Sequence, residues 1–519
     1  MSLLGSSGCG RIEGSIGLAL LFLVAGCGVD RVAANPVNVV LIVIDTLRPD
    51  FLGTYGGNRT ATPHIDGLAA DGIVFETAVS PSPMTGPSHA ALFTSRHPSE
   101  LGVVNNAANL PDRVPVMAEI LAEAGFDTGA AIAIAPIRRQ WGFDRGFRIF
   151  EQDQLRNTWI LNADTVLPQT LDILDRLKPP FFLWSHLADP HAPYKAHGAA
   201  EYEAEVLVNG RTIGRVPTSA SAVQRIDFEL QRGLNELVIR SEHFFRIHRL
   251  SMRHRGWFKP DLDPARPPPE YLSEYRAEIT SWRSKKVQLV VQLSDRVRDP
   301  EILDRYAGEV AYVDRNIGLL IDRLKSMGLY EESLILLTSD HGQGLGCHGY
   351  GGHVETLYDC MVRVPLIVKP PRSLGFDVGQ RRDDLAGLVD VLPTVLGVLA
   401  LEPRPVMRGR DLLDPTPVSA PTILMETHRP QAQKTLLGLR GQSHSIIFDA
   451  TAEAWEFYDL AQDPDQLVNL YDLHNPLVVE WTRRLQQRLR EEAQPLPGVE
   501  VKSEIDDEAR EMLRSLGYL

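Results

Sequence analysis

Asn38-Val39-Val40-Leu41-Ile42-Val43-Ile44-Asp45 is an unbroken apolar, mostly β-branched run closed by a carboxylate. It lacks the alternation of a half-exposed strand, so it reads as a strand buried on both faces, as in a parallel sheet covered by helices. Asp45 then stands at the strand's C-terminal end, the edge of an α/β sheet where ligands bind. Two later stretches repeat the pattern. Phe181-Phe182-Leu183-Trp184-Ser185-His186 leads into Asp189-Pro190-His191-Ala192-Pro193-Tyr194, and Leu334-Ile335-Leu336-Leu337-Thr338-Ser339 leads into Asp340-His341-Gly342. Amphipathic helices are predicted near 114–124, 164–177, 303–327 and 385–400. Strands and helices in this order imply an α/β fold, a large mixed, mostly parallel sheet flanked by helices.

Between about 200 and 258 the texture changes. Glu205-Val206-Leu207-Val208 meets Asn209-Gly210, a type I′ hairpin signal, and further short strands follow to Val238-Ile239. This is a β-rich insertion, loosely similar to part of a carbohydrate-binding β-sandwich. It is read as a wall of the site, a sugar contact or a protein contact, with the Pro-rich stretch 259–269 as its exit linker. Residues 37–404 otherwise form the catalytic domain, and 405–519 a small C-terminal α+β subdomain and tail.

Residues 16–26 are apolar but too short to span a bilayer as a mature helix. The run ends in Leu23-Val24-Ala25-Gly26-Cys27, which resembles a bacterial lipobox. That resemblance implies a signal peptide over 1–26, lipidation at Cys27, and an exported lipoprotein anchored at the periplasm or outer membrane. Cys347 and Cys360 are the cysteines of the mature body and can pair in an oxidising compartment. The 519 residues carry a formal net charge of −14, which argues against a nucleic-acid partner. An anionic substrate would need positive charge supplied locally, most simply by a bound cation.

Met84-Thr85-Gly86-Pro87-Ser88-His89-Ala90-Ala91-Leu92-Phe93-Thr94-Ser95 carries the chemistry. It resembles the nucleophile motif of the sulfatase family, in the alkaline phosphatase superfamily, with Thr85 at the nucleophile position and His89 in place of Arg. Sulfatases oxidise a Cys or Ser there to an aldehyde. Thr85 carries a Cβ methyl, so the same oxidation gives only a ketone, and the expected nucleophile is an unmodified Thr alkoxide. The chain order Asp45, Thr85, His191, Asp340-His341, His353 is that superfamily's order of functional residues. Supporting matches are Thr62-Pro63-His64-Ile65-Asp66, Gly142-Phe143-Asp144-Arg145-Gly146-Phe147, Arg363-Val364-Pro365-Leu366 and Asp390-Val391-Leu392-Pro393-Thr394. The tail resembles the family's C-terminal subdomain through Glu456-Phe457-Tyr458-Asp459-Leu460.

The resemblance implies a divalent cation held by Asp45, Asp340, His341 and the Thr85 hydroxyl. Thr46 and His341 stand where sulfatases usually have Asp and Asn, which shifts the site from a Ca²⁺-type oxygen cage towards Zn²⁺ or Mn²⁺. His191 is expected as a general acid on the leaving oxygen. His353 takes the place of a sulfate-binding Lys. Asp189, His191 and His353 together suit a second metal. His89 and Asn106, with Asn105 beside it, are candidate substrate donors. Ser88 reads as a helix cap, and His64, His97 and His186 as structural. The expected function is metal-dependent hydrolysis of a sulfate or phosphate ester, with phosphodiester or phosphonate ester favoured, through a covalent Thr85 intermediate. The partner is a small or glycan-borne anionic ester. The rivals are a group transferase of the same superfamily and a non-catalytic glycan-binding surface lipoprotein.

Overall fold

The computed structural model describes residues 37–156, 158–194, 203–217, 224–254, 272–281, 285–295, 299–404, 406–416, 421–429, 431–497 and 499. The lipobox-like segment and Cys27 lie outside the described residues. The first strand, β1 (Asn38–Ile44), is buried along its whole length, as its sequence demands. After it come α1 (Pro63–Ala70), β2 (Ile73–Val79), α2 (Thr85–Thr94), a one-turn α3 (Pro98–Leu101), α4 (Met117–Glu123), β3 (Asp127–Ala131), β4 (Ile149–Glu151), α5 (Ala163–Arg176) and β5 (Phe181–Leu187). The insertion supplies β6 (Glu203–Val208), β7 (Arg211–Pro217), β8 (Gln224–Leu230), β9 (Gly233–His254), β10 (Leu272–Ser281) and β11 (Lys285–Asp295). The chain returns through α6 (Asp299–Ser326), β12 (Ser333–Thr338), a one-turn α7 (Asp359–Val362), β13 (Arg363–Lys369), β14 (Gln380–Arg382), β15 (Ala386–Gly387) and α8 (Val391–Val398). The C-terminal part holds β16 (Ile423–Thr427), β17 (Leu436–Arg440), β18 (His444–Asp449), β19 (Ala454–Asp459) and α9 (Pro476–Glu492).

The central sheet has nine strands in the order β14-β2-β13-β12-β1-β5-β3-β4, with β15 also on β2. Strands β12, β1, β5, β3 and β4 are mutually parallel, and β13 runs against its neighbours β12 and β2. This is the mixed, mostly parallel sheet expected. The apolar ends meet in register, Val40 beside Ile335 on one side and Leu183 on the other. The C-terminal ends of β12, β1 and β5 therefore open at one edge, and Asp340, Asp45 and Asp189 follow those ends.

The second sheet, β7-β6-β9-β11-β8 with β10 on β9, is antiparallel and larger than the sequence reading allowed. It continues through β10 and β11 to Asp295, where the sequence reading ended the insertion near 258. Stretch 259–269 lies outside the described residues, between β9 and β10 of one sheet rather than after the sheet. β10 lacks a long apolar run and follows a Pro-rich break, whereas β11 carries the run Val287 to Leu293, a strand signal that the sequence reading did not use. The four-stranded antiparallel sheet β16-β17-β18-β19 packs Leu424, Leu439, Ile446 and Phe457 against Val478, Trp481 and Leu485 of α9. Cys347 and Cys360 are joined as a disulfide. Among the described residues no helix is long and apolar enough to cross a membrane.

Candidate active site

Helix α2 begins at Thr85, after an extended Met84, and all ten of its residues are buried. A helix that short and that apolar is held by its surroundings rather than by propensity. Ser88 does not cap it. Its hydroxyl donates to the Asp340 carbonyl at 2.6 Å, and the Ser80 hydroxyl contacts it at 3.1 Å, tying the nucleophile helix to the strand end that carries Asp340. On the other side, Thr46 N–H donates to Asp340 Oδ1 at 3.2 Å. Thr46 itself sits at φ 58°, an uncommon region for a β-branched residue, which turns the chain sharply just after Asp45.

These connections bring Asp45, Asp340 and His341 together, each offering a ligand atom within 4.8 Å of the others. All three are fully buried. Both Asp45 carboxylate oxygens and Asp340 Oδ2 lack a hydrogen-bond partner. Burial pushes the Asp340 carboxyl up to about 6. It pushes Asp45 well above the usual carboxylate range, and the charge of Asp340 adds to the effect. Two orphaned buried carboxylates side by side are unfavourable unless a cation lies between them. The residues present therefore fit a divalent cation, and their mixed oxygen and nitrogen donors suit Zn²⁺ or Mn²⁺ better than an all-oxygen Ca²⁺ cage. Thr85 Oγ1 lies 3.4 Å from His341 Nε2, in position to complete the set.

The other imidazoles follow from their carbonyl partners. Nδ1 of His341 lies 3.0 Å from the Gly342 carbonyl, Nδ1 of His191 2.6 Å from that of Ala192, and Nδ1 of His353 3.1 Å from that of Pro83. A carbonyl only accepts, so each Nδ1 donates to its carbonyl and each Nε2 is turned towards the site. The Nε2 atoms of His191 and His353 face each other at 3.2 Å. Burial holds His191 and His341 down to about 4. It holds His353 well below its ordinary range, helped by its two imidazole neighbours. The 3.2 Å Nε2–Nε2 contact requires a proton on one of the two rings, so His191 and His353 face the site as a pair that shares a proton. Of the second-metal set, His191 and His353 meet, while both Asp189 oxygens accept from Ala163 N–H at the start of α5, at 3.0 and 3.1 Å.

His89 is corrected as a substrate donor. It is fully buried, its Nδ1 donates to the Thr85 carbonyl at 2.8 Å, and its ring lies against Phe143, Trp184 and His186, beneath the carboxylates. His186, read as structural, places Nε2 3.8 Å from Asp45 Oδ2. Asn106 is brought to the head of α2, its Oδ1 accepting from Gly86 N–H at 2.8 Å, while Asn105 Oδ1 accepts from Ala107 N–H at 2.9 Å within its own turn. Gly342 lies at a close backbone approach, where a Cβ would collide with the Cys360 carbonyl. Sequence reasoning missed Gln431, whose Oε1 accepts from Asn106 N–H at 2.8 Å across 325 positions of chain. No local motif marks it.

Comparison with known proteins places the chain in a family. The Sulfatase family model matches residues 37–401, and a model described as N-sulphoglucosamine sulphohydrolase, C-terminal, matches 346–495. The chain is 22% identical over 498 residues to an N-acetylglucosamine-6-O-sulfatase of Bacteroides thetaiotaomicron, covering 88% of this chain and 86% of that one. It is 27% identical over 436 residues to the steryl-sulfatase of Mus musculus, covering 73% of this chain and 65% of that one. Among solved structures, the phosphonate monoester hydrolase of Agrobacterium radiobacter superposes with a TM-score of 0.61 at 18% identity, covering 88% of this chain and 96% of that one. A protein solved with its substrate D-glucosamine-2-N,6-O-disulfate gives 0.59 at 18%, covering 88% and 98%.

Proposed function

The chain belongs to the sulfatase family of sulfuric ester hydrolases, and we propose that within it this enzyme attacks its ester with the unmodified Thr85 hydroxyl. The observation that carries the proposal is the placement of Thr85 Oγ1, 3.4 Å from His341 Nε2, at the head of a buried helix beside the orphaned carboxylates of Asp45 and Asp340. Asp45, Asp340 and His341 would hold a divalent cation. When bound, it lowers the pKa of the attacking hydroxyl and draws charge from a non-bridging oxygen. The Thr85 hydroxyl loses its proton to solvent as Oγ1 bonds to sulfur or phosphorus, and the leaving oxygen departs and takes a proton from solvent. Water then attacks sulfur or phosphorus and displaces Thr85 Oγ1, which regains a proton from solvent, while the attacking water's proton passes to Nε2 of His191 or His353.

Sulfate monoesters, phosphodiesters and phosphonate monoesters all present one negative charge, so this chemistry suits each of them. The likeness to a phosphonate monoester hydrolase and the Thr at the nucleophile position favour the phosphorus esters. Initial rates on p-nitrophenyl sulfate and bis-p-nitrophenyl phosphate, after exchange into Zn²⁺, Mn²⁺ or Ca²⁺, test the proposal. The phosphodiester is expected to turn over faster and Zn²⁺ or Mn²⁺ to outperform Ca²⁺. No turnover of either ester with any of the three cations refutes it.

Export and lipidation at Cys27 belong to the same proposal, supported by the sequence Leu23 to Cys27. In a bacterial host, Cys27→Ala is expected to move the protein from the detergent to the aqueous phase on Triton X-114 partitioning. A wild-type protein already in the aqueous phase, without a lipid mass increment, rules the anchor out.

A further inference from the structure

The C-terminal subdomain reaches the nucleophile through the loop that follows β16. Thr427 Oγ1 donates to the Val354 carbonyl at 2.7 Å, and Gln433 N–H donates to Glu355 Oε2 at 3.0 Å. Between them Ala432 packs in a small buried cluster with Met84 and Val354, the neighbours in sequence of Thr85 and His353. Gln431 is thus delivered to the reaction centre by a part of the chain outside the motifs that define it.

Two side-chain amides are stacked on the head of α2. Asn106 Oδ1 accepts from Gly86 N–H, and Gln431 Oε1 accepts from Asn106 N–H, each at 2.8 Å. Gly86 permits this: a Cβ there would lie 3.3 Å from both Cα and Oδ1 of Asn106. Because each oxygen is fixed by a backbone N–H donor, neither amide can be flipped without placing donor against donor. The nitrogen ends are therefore assigned. Asn106 Nδ2 and Gln431 Nε2 are both buried, on residues 1% and 4% exposed, and neither has a hydrogen-bond partner. A buried N–H without an acceptor carries the full desolvation cost of the group. The first sits on a side chain bonded to the residue after Thr85 and the second on a side chain bonded to Asn106, so they form a pair of preorganised donors beside the head of α2. Arg48, the nearest cationic side chain to Asp45 in sequence, is engaged by Asp50 and by the Gln343 and Gly344 carbonyls.

We propose that Asn106 and Gln431 form a neutral anion subsite, donating from Nδ2 and Nε2 to the non-bridging oxygens of the ester bound at Thr85. The inference rests on the Thr85 reading and deepens it by naming the substrate class. One dication facing two carboxylates leaves the site with no net charge, and amide donors add none. Such a site takes a monoanionic tetrahedral ester and discriminates against a dianionic phosphate monoester.

Gln431→Glu and Asn106→Asp keep the accepting oxygen and replace the donor nitrogen with a second oxygen. Gln431→Met removes the donor without adding charge. Binding of inorganic sulfate to metal-loaded protein is measured by calorimetry, alongside metal content, Tm, and kcat/KM for bis-p-nitrophenyl phosphate and p-nitrophenyl phosphate. Sulfate affinity is expected to fall at least tenfold in Gln431→Glu and Asn106→Asp and several-fold in Gln431→Met, with metal content unchanged. The wild type is expected to prefer the diester over the monoester. Wild-type turnover with sulfate affinity unchanged in Gln431→Met and Gln431→Glu overturns the subsite and leaves the Thr85 reading standing. Absence of wild-type turnover removes the Thr85 reading and this inference with it.

Discussion

Thr85→Ala is expected to lower kcat/KM for the better of the two p-nitrophenyl esters by at least about 10³-fold, equivalent to about 4 kcal/mol of transition-state stabilisation. The substitution removes only the hydroxyl and the methyl of a residue at the head of a helix whose other ties, Ser88 to Asp340 and Gly86 to Asn106, do not use that side chain. Tm should therefore change little, which separates loss of the nucleophile from loss of the fold, and metal content reports separately what the Thr85 hydroxyl adds to the ligand set. Thr85→Ser retains a hydroxyl at the same Cβ and is expected to keep a substantial fraction of the rate. Intact mass of the tryptic peptide containing Thr85 should match unmodified threonine. An Ala variant with more than a tenth of wild-type activity would show that another group attacks.

Much of the catalytic edge was legible because its signals are local. An apolar run such as Val39 to Ile44 can be buried only as an interior strand, and the carboxylate that ends it must then lie at the sheet's edge. The same logic located Asp340 and His341 after β12, and Asp189 and His191 after β5. What local pattern cannot give is the partner of a side chain. Ser88 reads as a cap because it opens a helix, yet its hydroxyl turns inward to the Asp340 carbonyl, a contact across 252 positions. His89 reads as a substrate donor because an Arg stands there in the motif it resembles, but an imidazole is too short to leave the layer beneath the carboxylates. Gln431 has no signal at all, since its role depends on a loop of another sheet folding back over α2. The extent of the insertion was missed for a different reason. β10 and β11 mix charged and apolar residues, and nothing in composition links them to β9 across a Pro-rich gap.

Chelation is expected to produce the second large effect, and its dependence on pH distinguishes a structural carboxylate pair from a cation site. In the metal-free protein Asp340 is held up to about 6 by burial, and Asp45 is raised well above its ordinary value by burial and by Asp340. A raised carboxyl pKa means that the folded state binds more protons than the unfolded chain between the two values. Stability must then fall as pH rises through that window. Over pH 4 to 7 these two carboxyls should accordingly lose stability, whereas His191, His341 and His353, held below their ordinary range, gain it. The Tm of chelated Asp340→Asn is therefore subtracted to isolate the carboxylate contribution. A divalent cation reverses the electrostatics, since it favours both carboxylates in their charged form. Cation at about 100 times its Kd adds about 2.7 kcal/mol, enough to raise the Tm by a few degrees. The gap between loaded and chelated protein should be widest above pH 6 and close towards pH 4. Asp340→Asn removes the buried charge and a ligand at once. It should make the chelated protein more stable than chelated wild type at pH 7.5, abolish the cation-dependent rise, and reduce turnover about 10³-fold or more. A chelated wild type whose Tm, relative to chelated Asp340→Asn, rises between pH 4 and 7, or an Asp340→Asn variant that still gains stability from Zn²⁺ or Mn²⁺, would contradict a cation held by these carboxylates.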